Sequence, residues 1–340
     1  MPAVSVVMPV FNGERFVAEA LESLLDQSLR DIEVIAVDDG STDATGAILA
    51  GYAARDARLR VITNPTNLRQ SFSRNAGIAA AQSPLVAMMD ADDLALPDRL
   101  AVQKGFMDAN PRVALSGCFS RRMDEKGVPS HRVIRHPTNA EEVRARLLFR
   151  SCISHRSIIA RREVLEHHRY SQDFPVSQDF DLFSRITGEH AVTNLPRVLM
   201  VARTHAEQIS RSKRDLIKEM NIVITRRTLA QLGIEASQSE MELHFEIPRV
   251  GQAGTHVNDA YLERVNRWLT RIRSANQAAG IYDRAALDKA CGHMWFIVCR
   301  QAARRNGRGS WISFARSALL GPALFSAARG FWAKKAPARN

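Results

Sequence analysis

The strongest constraint on the fold is an alternation in the first 120 residues, where short apolar runs are separated by stretches of helical spacing. Val4 to Val10, Ile32 to Val37, Leu59 to Ile62, Leu85 to Met89 and Val113 to Cys118 are four to seven residues long and rich in Val, Ile and Met. Between the first two, Phe16, Val17, Ala20, Leu21, Leu24 and Leu25 fall on one helical face. Pro97 opens a further helix in which Leu100 and Phe106 are apolar. Buried strands alternating with helices predict an α/β domain with a mostly parallel, doubly wound sheet of the nucleotide-binding kind. Cys152 to Ala160, a helix through Asp179 to Ile186, and Val198 to Ala202 are expected to complete that domain and close one side of its cleft.

From about Asp215 the pattern becomes mainly helical. Tyr261, Val265, Trp268, Leu269 and Ile272 share one face, with Glu263, Arg264 and Arg267 opposite. Gly251 to Thr255 reads as a linker, and Met294 to Val298 as an apolar core segment. The expected division is therefore a first domain over 1–215 and a mainly helical C-terminal region over 216–340.

With 340 residues, 45% of them hydrophobic, the chain can bury a sizeable core and is neither disordered nor a disulfide framework. Its net charge of +11 suggests nucleic acid until the charge is located. Residues 301–340 hold eight Arg and Lys and no Asp or Glu, so the excess describes a tail and no nucleic-acid partner is expected. That tail also carries Trp311, Phe314, Phe325, Phe331 and Trp332, a mixture that suits an anionic membrane surface or a packed helical subdomain with a basic end. The four cysteines lack zinc-ligand spacing and read as buried thiols. Ala3 to Val10 lacks a basic n-region and reads as a first strand, so the expected location is cytoplasmic or peripheral on the inner face of the cell membrane.

Three acidic clusters follow apolar runs, at the strand ends where open α/β sheets bind ligands. Asp38-Asp39-Gly40-Ser41-Thr42-Asp43 can accept from a base N–H or a ribose hydroxyl, or can simply form a turn and a helix cap. Asp90-Ala91-Asp92-Asp93 puts three carboxylates in four residues, whose repulsion a cation or a shared proton would offset. Mg²⁺ or Mn²⁺ with a diphosphate suits such a set, and solvated loop acids are the plainer account. Gln178-Asp179-Phe180-Asp181 opens a helix, where acids also complement the helix dipole. Arg203 and His205, within Arg203 to Ser210, suit a diphosphate or a metal. His136, His167 and His168 have no motif context and read as surface or packing residues.

Order and separation make these signals specific. Over roughly residues 3–210 the chain resembles the family 2 glycosyltransferases of GT-A fold. The resemblance is carried by Val4-Ser5-Val6-Val7-Met8-Pro9-Val10-Phe11-Asn12, Val37 to Asp43, Arg74-Asn75-Ala76-Gly77, Asp90 to Asp93 with Pro97-Asp98-Arg99-Leu100, Gln178 to Leu182, and Arg203 to Ser210. No Gly-x-Gly-x-x-Gly follows the first run, against a dinucleotide dehydrogenase, and Pro9 to Gly13 lacks the Lys of a nucleotidyltransferase loop.

The resemblance implies an inverting transfer from a nucleoside-diphosphate sugar, with a UDP-sugar as the expected donor, to a hydroxyl of a glycan or lipid-linked acceptor in cell-surface polysaccharide assembly. It implies that Asp179 is the catalytic base, and that Pro9, Phe11, Asn12, Asp38, Asp39, Arg74, Asp90 and Arg203 bind the nucleotide. Asp92, with His205, would hold Mg²⁺ or Mn²⁺, and His155 and Gln178 are candidate acceptor-side residues. The family more often has Glu-Asp where this chain has Gln178-Asp179, and Gln carries no charge. A catalytically silent nucleotide-sugar-binding or scaffold protein is the alternative that this difference raises.

Overall fold

The computed structural model describes residues 1–205, 213–251 and 257–306, together with 317, 319 and 321. It contains two compact units, one of residues 1–143 and 151–217, the other of residues 144–150 and 218–340.

The first unit begins with alternating elements: β1 (Val4–Val10), α1 (Val17–Leu25), β2 (Ile32–Asp38), α2 (Thr45–Ala53), β3 (Leu59–Thr63), α3 (Gln70–Ala80) and β4 (Leu85–Met88). These strands are parallel in the order β3-β2-β1-β4. Every residue of β1 except Pro9 is buried, as a strand covered on both faces requires. Pairing of β1 with β4 ends at Val7, so the N–H that Pro9 lacks leaves no rung of that ladder open.

The sheet continues through β5 (Leu94–Ala95), α4 (Arg99–Ala109), β6 (Val113–Met123), β7 (Pro129–Ile134), α5 (Ala140–Leu147), β8 (Ile159–Arg161), α6 (Arg162–His168), α7 (Gln178–Glu189) and β9 (Ala191–Arg203). Here β8 runs antiparallel between β4 and β6, β6 pairs in parallel with β9, and β5 is antiparallel to β9. The segment expected as one element over Cys152 to Ala160 is instead irregular, with a short 3₁₀ turn at His155–Ser157 before the brief β8. The expected strand Val198 to Ala202 is the end of the much longer β9, whose register against β6 slips between Leu195 and Val198. Pro196 falls in that slip, where a missing donor is tolerated.

One face of the sheet packs Val4, Val6, Met8 and Val10 against Leu21, Leu24, Leu49 and Leu100. On the other, Gly77 lets α3 approach closely: a Cβ there would meet Val7 Cγ1 at 2.4 Å and Val37 Cγ2 at 3.2 Å. Even an alanine at that position would therefore push the helix off the sheet.

The second unit comprises residues 144–150 and helices at Arg214–Gln231, Gln238–Glu246, Asp259–Ala279 and Arg284–Asn306, the first of which begins in the first unit. The expected helical face appears as buried Tyr261, Val265, Trp268, Leu269 and Ile272, and Met294, Trp295 and Val298 are buried as expected. Ser237 caps its helix in a capping box with Glu240. His244 lies wholly inside, its Nδ1 accepting from Trp268 Nε1 at 3.0 Å and its Nε2 2.8 Å from the Leu148 carbonyl. All four cysteines are buried free thiols. Among the described residues no helix is long and apolar enough to cross a membrane. The 252–255 part of the expected linker, and almost all of the basic tail expected to meet an anionic membrane surface, lie outside the described residues.

Candidate active site at the strand ends

The two acidic clusters that open the site follow β2 and β4, the two neighbours of β1, but are held differently. At the end of β2, Asp38 Oδ1 accepts from Ser41 N at 3.0 Å, and Asp39 Oδ1 accepts from Asn64 Nδ2 at 2.8 Å and Leu68 N at 3.0 Å. Gly40 has φ +74°, and a Cβ on it would meet the Thr66 carbonyl carbon at 2.6 Å, so the turn requires glycine. Asn12, itself at φ 48°, links the end of β1 to this turn: its N–H donates to Ser41 Oγ at 2.9 Å and its Oδ1 accepts from Thr42 N at 2.9 Å. Phe11 is left exposed beside it.

At the end of β4, Asp90, Asp92 and Asp93 each offer an oxygen within 4.8 Å of the others. Cations compensate them. Arg156 donates from one nitrogen to both oxygens of Asp93, at 2.9 and 2.8 Å, and its Nε is 3.8 Å from Asp90. Arg74 Nη2 and His155 Nδ1 each stand 3.8 Å from Asp90 Oδ1. Burial opposes the charge of Asp90, but His155, Arg156 and Arg74 together hold it well below the usual carboxylate range. Asp93 has no exposed surface; burial, together with Asp92 and Asp90, pushes it up to about 7 against the pull of Arg156.

His205 Nε2 lies 3.0 Å from Asp92 Oδ2, and no described group reaches its buried Nδ1. Phe16 packs against this imidazole at 5.4 Å between ring centres, and the Arg203 guanidinium lies 4.7 Å from the centre of the Phe16 ring. Arg203 is buried: its N–H donates to Asp93 at 2.9 Å, its Nε to the Asp92 carbonyl at 3.0 Å, its Nη1 to the Glu125 carbonyl at 3.1 Å, and its Nη2 to Glu19. In this arrangement Arg203 holds the acidic loop in place. Asp90, Asp92 and His205 make a donor set of oxygens and an imidazole that suits Mg²⁺ or Mn²⁺.

Asp179 is the second residue of α7, partly exposed, two places after Ser177, which is in a left-handed conformation at φ 59°. Its neighbour Gln178 is buried. Gln178 Oε1 accepts from Arg74 Nη1 at 3.1 Å and its Nε2 donates to the Pro175 carbonyl at 3.2 Å. His155 Nε2 meets the Tyr170 hydroxyl at 2.7 Å, and the Arg74 guanidinium lies 5.4 Å over the Tyr170 ring. Burial, then Arg74, lowers the His155 pKa, while Asp90 and Asp179 act to raise it. One network thus joins the base candidate's end of α7 to the acidic loop.

Residues 5–169 match the family model described as glycosyl transferase family 2. The chain carries a domain of that family over this segment, just under half of its length. It is 39% identical over 134 residues to the putative glycosyltransferase EpsE of Bacillus subtilis, covering 39% of this chain and 48% of that protein. It is 28% identical over 212 residues to the amylovoran biosynthesis glycosyltransferase AmsE of Erwinia amylovora, covering 62% and 79%. The chain spans about half the length of the first curated relatives it matches. S. aureus TarS 1-349 in complex with UDP-GlcNAc superposes with a TM-score of 0.58 at 16% identity over 91% of this chain and 93% of that one. Mannosyltransferase PcManGT from Pyrobaculum calidifontis, in complex with GDP-Man and Mn2+, gives 0.51 at 20% over 98% and 88%. The GT-A fold expected from the sequence is the fold observed.

Several residues that shape this candidate site carry no chemistry visible in sequence. Asn75 fixes the Tyr170 backbone with two hydrogen bonds, at 2.8 and 3.0 Å, so the Arg74-Asn75-Ala76-Gly77 motif places a cation, a loop and a helix at once. Arg99 is wholly buried and donates to the Met88 carbonyl at 2.7 Å and to Gln103 at 3.0 Å, steadying the end of β4 just before Asp90. Tyr170 and Glu19 lie in no motif, and only their spatial partners reveal them.

Proposed function

We propose that the chain transfers a hexosyl or related group from a UDP-sugar, with inversion, to a hydroxyl of a glycan or lipid-linked acceptor in the assembly of a cell-surface polysaccharide. The observation that carries this reading is the acidic cluster of Asp90, Asp92 and Asp93, held open at a strand end by Arg74, Arg156 and Arg203. The TarS complex with UDP-GlcNAc supports the donor class, and the likeness to AmsE supports the polysaccharide role.

The Oδ1 atom of Asp39 is occupied by Asn64 and Leu68, which aims its other oxygen as an acceptor for a base N–H, with Pro9, Phe11, Asn12 and Asp38 bordering the base. Gln178 is neutral and offsets none of the Arg74 charge, which stands beside Asp90 to face the diphosphate. Asp92 and His205, with Asp90, would hold Mg²⁺ or Mn²⁺, which when bound offsets charge on the departing diphosphate. Asp179 accepts the proton of the attacking hydroxyl, and the rigid start of α7 keeps it in line. His155, through Tyr170, lines the acceptor side.

The test follows release of nucleoside diphosphate from a nucleotide-sugar panel with Mn²⁺ or Mg²⁺. With the matching donor, Asp179→Asn is expected to lower turnover by roughly 10²- to 10⁴-fold while donor affinity holds. Unaltered turnover removes Asp179 as the base. Because Gln178 replaces a charged residue, a silent nucleotide-sugar binder is the second reading; tight donor binding with no release by the wild-type chain on any acceptor would favour it.

A further inference from the structure

Away from the strand ends, the last residues of α6 and α7 bring two pairs together, His167-His168 and Glu189-His190. His167, His168 and Glu189 each offer a ligand atom, and these lie within 4.8 Å of one another. The rings of His167 and His168 are 4.9 Å apart between centres, and those of His168 and His190 are 5.6 Å apart. The His168 side chain is only 5% exposed, yet its Nε2 has no hydrogen-bond partner and points toward Glu189, 3.9 Å away. A buried nitrogen left unpaired in this way is destabilising unless a ligand satisfies it.

The frame around the cluster is fixed. Arg185 donates to the His168 carbonyl, to the Arg169 carbonyl at 2.7 Å and to Asp181 at 2.8 Å, tying the end of α6 to α7. A buried imidazole nitrogen that lacks a hydrogen-bond partner and faces a carboxylate is placed to bind a metal.

We propose that His167, His168 and Glu189 form a zinc site, with His190 or water as the fourth ligand. Two imidazoles and one carboxylate match the zinc donor set, and the site has too few oxygens for Mg²⁺ or Ca²⁺. Ligands at roughly 2.0 to 2.1 Å from zinc stand closer together than they do here, and the exposed His167 and Glu189 side chains can rotate inward onto the anchored His168. Bound zinc staples the ends of α6 and α7, about 16 Å along α7 from its start at Gln178, so its role is structural.

The test is calorimetric titration of Zn²⁺ into the untagged, metal-stripped full chain, paired with thermal unfolding. It is run in wild type, in Asp92→Asn to silence the acidic cluster, and in His167→Gln and Glu189→Gln, whose positions are exposed and safe for folding. One equivalent of zinc binds in the Asp92→Asn chain and raises its Tm. The affinity falls on the order of tenfold or more in His167→Gln and in Glu189→Gln. Unchanged zinc affinity in both of those variants overturns the site, as does loss of all zinc binding in Asp92→Asn.

Discussion

The acids after β2 and the acids after β4 occupy equivalent places at the ends of strands on either side of β1, yet they are stabilised by opposite means. Asp38 and Asp39 are satisfied by backbone N–H groups and an amide, all neutral. Asp90, Asp92 and Asp93 are surrounded by Arg74, His155, Arg156 and His205, all capable of charge. Neutral donors set direction without adding net charge, which suits reading the edge of a base. Cations balanced against clustered carboxylates suit a place where charge arrives and leaves with each substrate.

Removing one cation is the sharpest way to break that comparison. Arg156→Met leaves the buried Asp93 without its charged partner, and the loss of stability is expected to be about 3 kcal/mol or more. Added Mn²⁺ should return part of this loss if the cluster takes a cation. Urea unfolding with and without Mn²⁺ checks it, and a loss below about 1 kcal/mol would mean that the cluster does not depend on Arg156.

The strands and acid clusters were legible because parallel strands buried on both faces read as unbroken apolar runs, and carboxylates at their ends stand out in such surroundings. What fixes Cys152 to Ala160 is not written in that segment. Ser157 is held by Gln103 on α4, at 2.7 Å through its carbonyl, and by the Cys118 N–H, at 3.1 Å to its hydroxyl. Those partners lie 54 and 39 residues away. The role of Tyr170 was hidden for the same reason, since its meeting with His155 depends on Asn75 in a different helix. His167 and His168 showed no ligand spacing because Glu189 joins them only when α6 and α7 fold together.

A second contrast lies in the other unit, where His244 is buried and hydrogen-bonded to the neutral Trp268 and Leu148 carbonyl. Burial first, then Arg249, lowers its pKa to about 4, while its contact with the Leu148 carbonyl acts in the opposite sense. The unfolded chain, titrating near 6.5, binds the proton first, so the stability from neutral His244 is complete above pH 6.5 and is lost as pH falls toward 4. The loss reaches about 3 kcal/mol across that window. Comparing unfolding of wild type and His244→Gln at pH 7 and pH 4.5 measures it; parallel curves would show that the imidazole does not titrate on unfolding.

The smallest effect on stability is expected at Asp39. In Asp39→Asn the side-chain oxygen still accepts from Asn64 and Leu68, so stability should change by about 1 kcal/mol or less. The second oxygen, however, becomes an NH₂ and turns from acceptor to donor. If it reads a base N–H, affinity for UDP should fall on the order of tenfold with no change in fold, because a donor now faces a donor. Calorimetry with UDP and urea unfolding separate the two quantities. A stability loss as large as that of Arg156→Met would show that the β2 acids also depend on charge. Unchanged UDP affinity in a stable variant would leave Asp39 a turn residue and move base recognition to its neighbours.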